Sequence, residues 1–93
     1  MIKVEGQDLW REGIKIGYIA NDHIFNHLGT KLGYFSGNAI YDVRGNRLAH
    51  LDEEFIYFAN SSRKIRIEDY QQDVIGGYLP NVERTAVRLL LGD

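Results

Sequence analysis

Cysteine is absent from this chain of 93 residues, and proline and methionine occur once each. The first absence excludes disulfides, thiolate-bound metals and a cysteine nucleophile. The second leaves chain reversals to the 10 glycines and to Asn and Asp, which tolerate the left-handed backbone of tight turns. Long apolar runs are missing too, so no segment reads as a membrane-spanning helix. The formal net charge is -2, without the basic excess of a general nucleic-acid binder, and a nucleic-acid partner is not expected. The opening MIKVEGQDLW has no basic segment followed by an apolar run and no cleavage-like end, so cytoplasmic residence is the default expectation. GxSxG, Walker, HExxH and dinucleotide-binding signatures are also missing, which leaves no catalytic residue and no cofactor to expect.

What is present is a repeat. Gly13, Gly29 and Gly45 recur every sixteen residues, with Ser61 at the next step. Two residues after each stand Lys15, Lys31, Arg47 and Arg63. Ile24, Ile40 and Ile56 share a column, Phe25, Tyr41 and Tyr57 the next, and Ile19, Phe35 and Leu51 another. Leu9 and Trp10 join these columns if the first unit is one residue shorter. Within one domain spanning 1–93, the units run 1–15, 16–31, 32–47 and 48–63, followed by a tail from 64 to 93. Lys64-Ile65-Arg66-Ile67 begins a fifth unit and then departs from the pattern.

Each unit reads as two short β-rich strands around a polar connection such as Ala20-Asn21-Asp22 or Ser36-Gly37-Asn38, that is, a hairpin. Asp42-Val43-Arg44-Gly45 and Asn26-His27-Leu28-Gly29 then link one hairpin to the next, with the Gly placed where positive φ is needed. Alternation assigns the faces. Val4, Ile19, Phe35, Leu51 and Ile67 should point inward together with Leu9, Ile24, Ile40 and Ile56, and the small Gly17, Gly33 and Ala49 suggest close backbone approach on that face. The opposite face carries Trp10, Tyr18, Phe25, Tyr34, Tyr41, His50 and Tyr57, too many rings to leave wholly in water, so part of it is expected to be covered.

In the tail, PNVERTAVRLLLGD predicts a short helix with Val82, Ala86, Leu89 and Leu90 on one side, capped by Asn81 and ended by Gly92. This helix is the candidate cover for the aromatic face. IEDYQQDVI reads equally as helix or irregular chain before Gly76-Gly77.

GYFSGNAIYDVRG and GYIANDHIF resemble the bacterial 4-fold beta flower family, built from units of the form IYDxxGxxxGYxDG. The resemblance covers about two thirds of the chain, judged on the motif alone. It implies an all-β domain of four tandem hairpins around a pseudo-four-fold axis, with a short C-terminal α-helix added here, and it transfers no catalytic residues. A shortened first unit, His50 in place of a Tyr and a fourth turn without its Gly depart from the pattern. IYDVRGNRLAHLD is also similar to the YD repeats of large secreted shells, which are longer and run in long arrays.

Of the chemical candidates, His23, His27 and His50 lack metal-ligand spacing and read as surface or half-buried side chains. Asp52-Glu53-Glu54 falls where sibling units turn and reads as a solvated loop. The column Lys15, Lys31, Arg47 and Arg63 is a candidate anion-binding ring, against the plainer role of solubilising strand ends. Trp10, Tyr18, Tyr34, Tyr41 and Tyr57 are candidate ligand-binding residues for a glycan or peptide, against simple packing under the tail or a partner. The expectation is a noncatalytic binding or assembly module, with a homo-oligomer or another protein as partner; a small-ligand binder is the alternative and an enzyme the least expected class.

Overall fold

The computed structural model describes residues 1–92. Ten strands form one sheet: β1 (Ile2–Glu5), β2 (Asp8–Arg11), β3 (Ile14–Ala20), β4 (His23–Asn26), β5 (Lys31–Ser36), β6 (Ala39–Asp42), β7 (Arg47–Leu51), β8 (Phe55–Phe58), β9 (Lys64–Arg66) and β10 (Val74–Ile75). From β1 to β9 they follow one another as an antiparallel meander, and β10 adds to the free side of β1 in parallel. A short helix α1 (Ile67–Tyr70), a 3-10 turn (Gln71–Asp73) and the helix α2 (Asn81–Leu91) complete the chain.

The sixteen-residue period of the sequence recurs in the backbone pairing. Tyr18 faces Phe25, Tyr34 faces Tyr41 and His50 faces Tyr57 across successive hairpins. Between hairpins the register slips by one residue after Leu9, Ile24 and Ile40. The extra residues are Ile16, Leu32 and Leu48, a half-buried apolar column. A bulge of this kind re-aims the side chains beside it. It sets Lys15, Lys31 and Arg47 opposite Trp10, Phe25 and Tyr41, on the aromatic side of the sheet, where strict alternation would turn them inward.

A long-range hydrogen bond repeats with the same period. The amides of Ile19, Phe35, Leu51 and Ile67 donate to the hairpin-tip carbonyls of Gln7, Asp22, Asn38 and Glu54 at 2.8–3.0 Å. Each inward residue is thereby tied to the tip of the preceding hairpin, and the helical residue Ile67 occupies the fourth place in the series. The linking turns are held by the side chains that open them: Asn26 Oδ1 accepts from the amides of Leu28 and Thr30, and Asp42 Oδ1 from those of Arg44 and Asn46. Gly29 and Gly45 follow at φ +82° and +86°, a conformation that costs a residue with a Cβ about 1–2 kcal/mol. The shorter first unit closes instead with Glu12-Gly13, both at positive φ, in a two-residue hairpin loop.

The inward columns form the core. Leu9, Ile24, Ile40 and Ile56 are fully buried, and Ile2, Val4, Ile19, Phe35, Ala49, Leu51, Ile67 and Val74 join them. Burying one such large aliphatic side chain contributes about 1.5–3 kcal/mol. From α2 come Ala86 and Val87, with Leu90 and Leu91 packed at the margin. Gly17 and Gly33 make room for this helix: a Cβ at Gly33 would come 2.9 Å from Leu90 Cδ1, and one at Gly17 would come 3.1 Å from Leu91 Cδ1. The close approach expected of the small-residue column is therefore, in part, the seat of the helix.

The helix thus lies on the inner face, and the expectation that it covers the aromatic face is corrected. The misreading has a physical origin, since an amphipathic helix shows that it needs a surface but not which one. The burial pattern along it also differs: Thr85 and Val87 are fully enclosed beside Ala86, while Val82, Leu89 and Leu90 are half-buried. Pro80, not Asn81, is the N-cap residue, and no side chain caps the helix; the Asn81 carbonyl instead accepts from Gln71 Nε2. Gly92 ends the helix as expected, its amide bonded to the Arg88 carbonyl.

The chain path shows that the sheet curls. Flat, nine strand spacings of about 4.8 Å would separate β9 from β10 by about 43 Å. The eight residue steps from Arg66 to Val74 span about 28 Å even when fully extended, and here they are partly helical. The longest dimension of the molecule, 35 Å, is also shorter than that flat width. Both sheet ends therefore bend toward the tail, with the helix on the concave side and the aromatic columns on the convex side.

Candidate functional site

On the convex face the rings form a ladder. Tyr18 stacks on Phe25 with centroids 4.9 Å apart and planes 8° from parallel. Tyr34 stacks on Tyr41 at 4.9 Å and 12°, and His50 on Tyr57 at 5.1 Å and 17°. His23, tilted against both Phe25 and Tyr34, joins the first pair to the second. Centroid spacings equal to the strand spacing of about 4.8 Å mean that the rings stand upright on the sheet, face against face. Each pair contributes about 0.5–1.5 kcal/mol beyond its burial. Stacking uses one face of each of these rings. The Tyr18 and Tyr34 hydroxyls reach the linking turns, 3.6 and 3.5 Å from where a Cβ on Gly29 and Gly45 would stand.

All five candidate ligand-binding residues, Trp10, Tyr18, Tyr34, Tyr41 and Tyr57, lie on this face and are half-buried. Trp10 differs from the rest. Its cross-strand partner at the place of Tyr18, Tyr34 and His50 is Lys3, and among the described residues no ring stacks on its indole.

Three of the four candidate anion-binding residues share the face. Lys15, Lys31 and Arg47 are exposed at the linking-turn ends of β3, β5 and β7, two strands and so about 10 Å apart. They form a row across a convex surface. Lys15 Nζ lies 3.0 Å from Asp8 Oδ1 and 5.5 Å from the Tyr18 ring centre. Arg63 falls outside the row, in the turn before β9, where it lines a hollow of about 450 Å³ with Phe58, Ile65, Tyr70 and Arg88.

Charge is segregated along the strands. The hairpin tips carry Asp8, Asp22, Asp52, Glu53 and Glu54, while the linking-turn ends carry Lys15, Lys31, Arg44, Arg47 and Arg63, with Glu12 and Asp42 as acidic exceptions there. At the fourth tip Asp52 accepts from the amides of Phe55 and Glu54 and from the Tyr57 hydroxyl at 2.7 Å. These bonds, the Phe55 amide first, hold its carboxyl below the ordinary value of 3.8, and the same pairing raises the Tyr57 phenol above 10.0. The acidic trio is a structured turn built around Asp52. His23 Nδ1 contacts the Asn21 carbonyl at 2.7 Å. Among the described residues no three His, Asp or Glu side chains converge as metal ligands.

Comparison with models of known protein families, with curated proteins and with solved structures finds no match to this chain.

Two features escaped the sequence reading. The bulged column Ile16, Leu32 and Leu48 was visible as a sixteen-residue apolar repeat, but period-two alternation gave it no role. Lys3 was visible too, fifteen residues before Tyr18 in the shortened unit, as the position where the ladder lacks a ring.

Proposed function

We propose that this chain is a noncatalytic binding or assembly module built on β-hairpin repeats, and that a second copy of itself occupies its convex face. The single observation that carries this reading is the exposed ladder Tyr18–Phe25, Tyr34–Tyr41, His50–Tyr57, on the side of the sheet opposite the helix. Partly exposed rings gathered on one face resemble the compositional core of protein interfaces, where Tyr and Trp are enriched.

The polarity of the face favours a second copy as partner. Two such faces related by a two-fold axis can meet with strands opposed, so that the acidic tips of one oppose the basic row of the other. An isologous contact requires self-complementarity of this kind. The finer arrangement belongs to the same proposal. The four hairpins are read as petals about a pseudo-four-fold axis, as in the family this sequence resembles, and the recurrence of register, bulge and tip hydrogen bond supports that reading.

Sedimentation equilibrium over a wide concentration range tests the assembly. Expected is a reversible dimer that weakens in high salt and is lost in Tyr41→Asp. A monomer at every concentration overturns it.

A further inference from the structure

The ladder is one ring short, and the gap lies beside a cavity. In three hairpins a ring on the first strand stacks on a ring of the second: Tyr18 on Phe25, Tyr34 on Tyr41, His50 on Tyr57. In the first hairpin the same register joins Lys3 to Trp10. Lys15, on the other side of Trp10, is drawn toward Asp8 and the Tyr18 ring. Next to the indole is a hollow of about 430 Å³, lined also by Met1, Lys3, Glu5, Glu12 and Ile75. That volume lies within the roughly 300–1,000 Å³ of small-molecule sites. Met1 and Ile75 stand in the open at 68% and 43% exposure and form an apolar wall of the hollow.

We propose that this hollow binds a small aromatic amine, whose ring takes the place of the missing rung against Trp10. The apolar walls and the unstacked indole select a flat ring. Glu5 and Glu12 stand in the lining beside Lys3 and the amino group of Met1, and none of these groups forms an ion pair among the described residues. An ammonium beside an indole gains from the ring quadrupole, an anion does not, and Glu5 and Glu12 each offer the cation a carboxylate, so the hollow takes a cationic substituent in preference to an anionic one. Binding here deepens the small-ligand reading of the convex face and does not require self-association. A monomeric protein that binds the amine would overturn the dimer and leave this site standing.

The test is titration of the full chain with phenethylamine, 3-phenylpropionate and hexylamine, followed by the indole N–H resonance of Trp10, the one tryptophan. Expected is a saturable shift with phenethylamine in the millimolar range, confined to Trp10, Ile75 and their neighbours. Affinity for the other two compounds is expected to be at least about tenfold lower, the factor that corresponds to 1.4 kcal/mol. Lys3→Tyr, which supplies the missing ring, is expected to weaken phenethylamine binding by a similar factor. The paired change Glu5→Gln and Glu12→Gln is expected to abolish the preference for amine over carboxylate while leaving a ring-dependent shift. Equal binding of the three compounds, no saturable shift at Trp10, or unchanged affinity in a folded Lys3→Tyr protein would each overturn the proposal.

Discussion

Leu90 of the C-terminal helix sits directly over Gly33 of β5, with its Cδ1 2.9 Å from the place a Gly33 Cβ would take. On the strand side, the same Cβ would overlap the Tyr41 carbonyl oxygen. The position is closed from both sides, so Gly33→Ala should destabilise the fold by about 1–3 kcal/mol, the usual penalty of overpacking. Denaturant unfolding measures it. Adding Leu90→Ala should not restore stability, because the backbone carbonyl cannot give way as a side chain can.

Arg84 fastens the returning chain. Its guanidinium donates to the carbonyls of Val74, Gly76 and Gly77 at 3.1, 2.9 and 3.3 Å. Hydrogen bonds to a charged donor are worth about 1.5–3 kcal/mol each before losses elsewhere, and two of these are exposed, so Arg84→Ala should cost about 2 kcal/mol in all. The strand β10 should loosen first. Hydrogen exchange should accelerate along β1 and β10 and remain slow in β4–β6.

Tyr57 and Asp52 form a pair that titration can separate. With the Tyr57 hydroxyl removed in Tyr57→Phe, the Asp52 carboxyl should titrate higher than in the parent. It should still fall below the ordinary 3.8, since the Phe55 and Glu54 amides remain. A carboxyl lowered by folding supports stability above its ordinary range and loses that support as the pH falls through the lowered value. The variant should therefore lose part of its stability at neutral pH and show a shallower decline in acid. Carboxyl NMR titration with unfolding at two pH values checks both.

Glu83 has the opposite sign. Burial first, and the nearby Asp22 second, raise its carboxyl above the ordinary 4.5. A raised carboxyl binds its proton more tightly when folded, so stability declines as the pH rises from 4.5 through the raised value. Glu83→Gln should remove that decline and leave the protein somewhat more stable at neutral pH. Melting temperatures across that window read the difference.

The repeat made most of the sheet legible before any coordinates. The first nine strands, the turns at Gly29 and Gly45, and the inward columns through Ile24, Ile40 and Ile56 all follow from residues recurring at fixed spacing. Local signals of that kind act within a hairpin or between neighbours. What was not legible depends on contacts far apart in the chain. The docking of α2 against Gly17 and Gly33 joins residues more than fifty positions apart, and the pairing of Val74 with Ile2 adds an edge strand from the far end of the chain. Nor could alternation locate the cations, because one-residue bulges at Ile16, Leu32 and Leu48 reverse it. The candidate rings share one face, where alternation puts them, but their mutual stacking, and with it the exception at Trp10, depends on which strands stand side by side.

Everything proposed for the convex face requires that the helix lie on the other side of the sheet. Proton–proton contacts in a NOESY spectrum decide this directly. The account predicts strong contacts from the Leu90 and Leu91 methyls to the α-protons of Gly33 and Gly17, and none to the rings of Tyr18, Tyr34 or Tyr41. Strong contacts from those methyls to the three tyrosine rings, with none to the glycines, would contradict it.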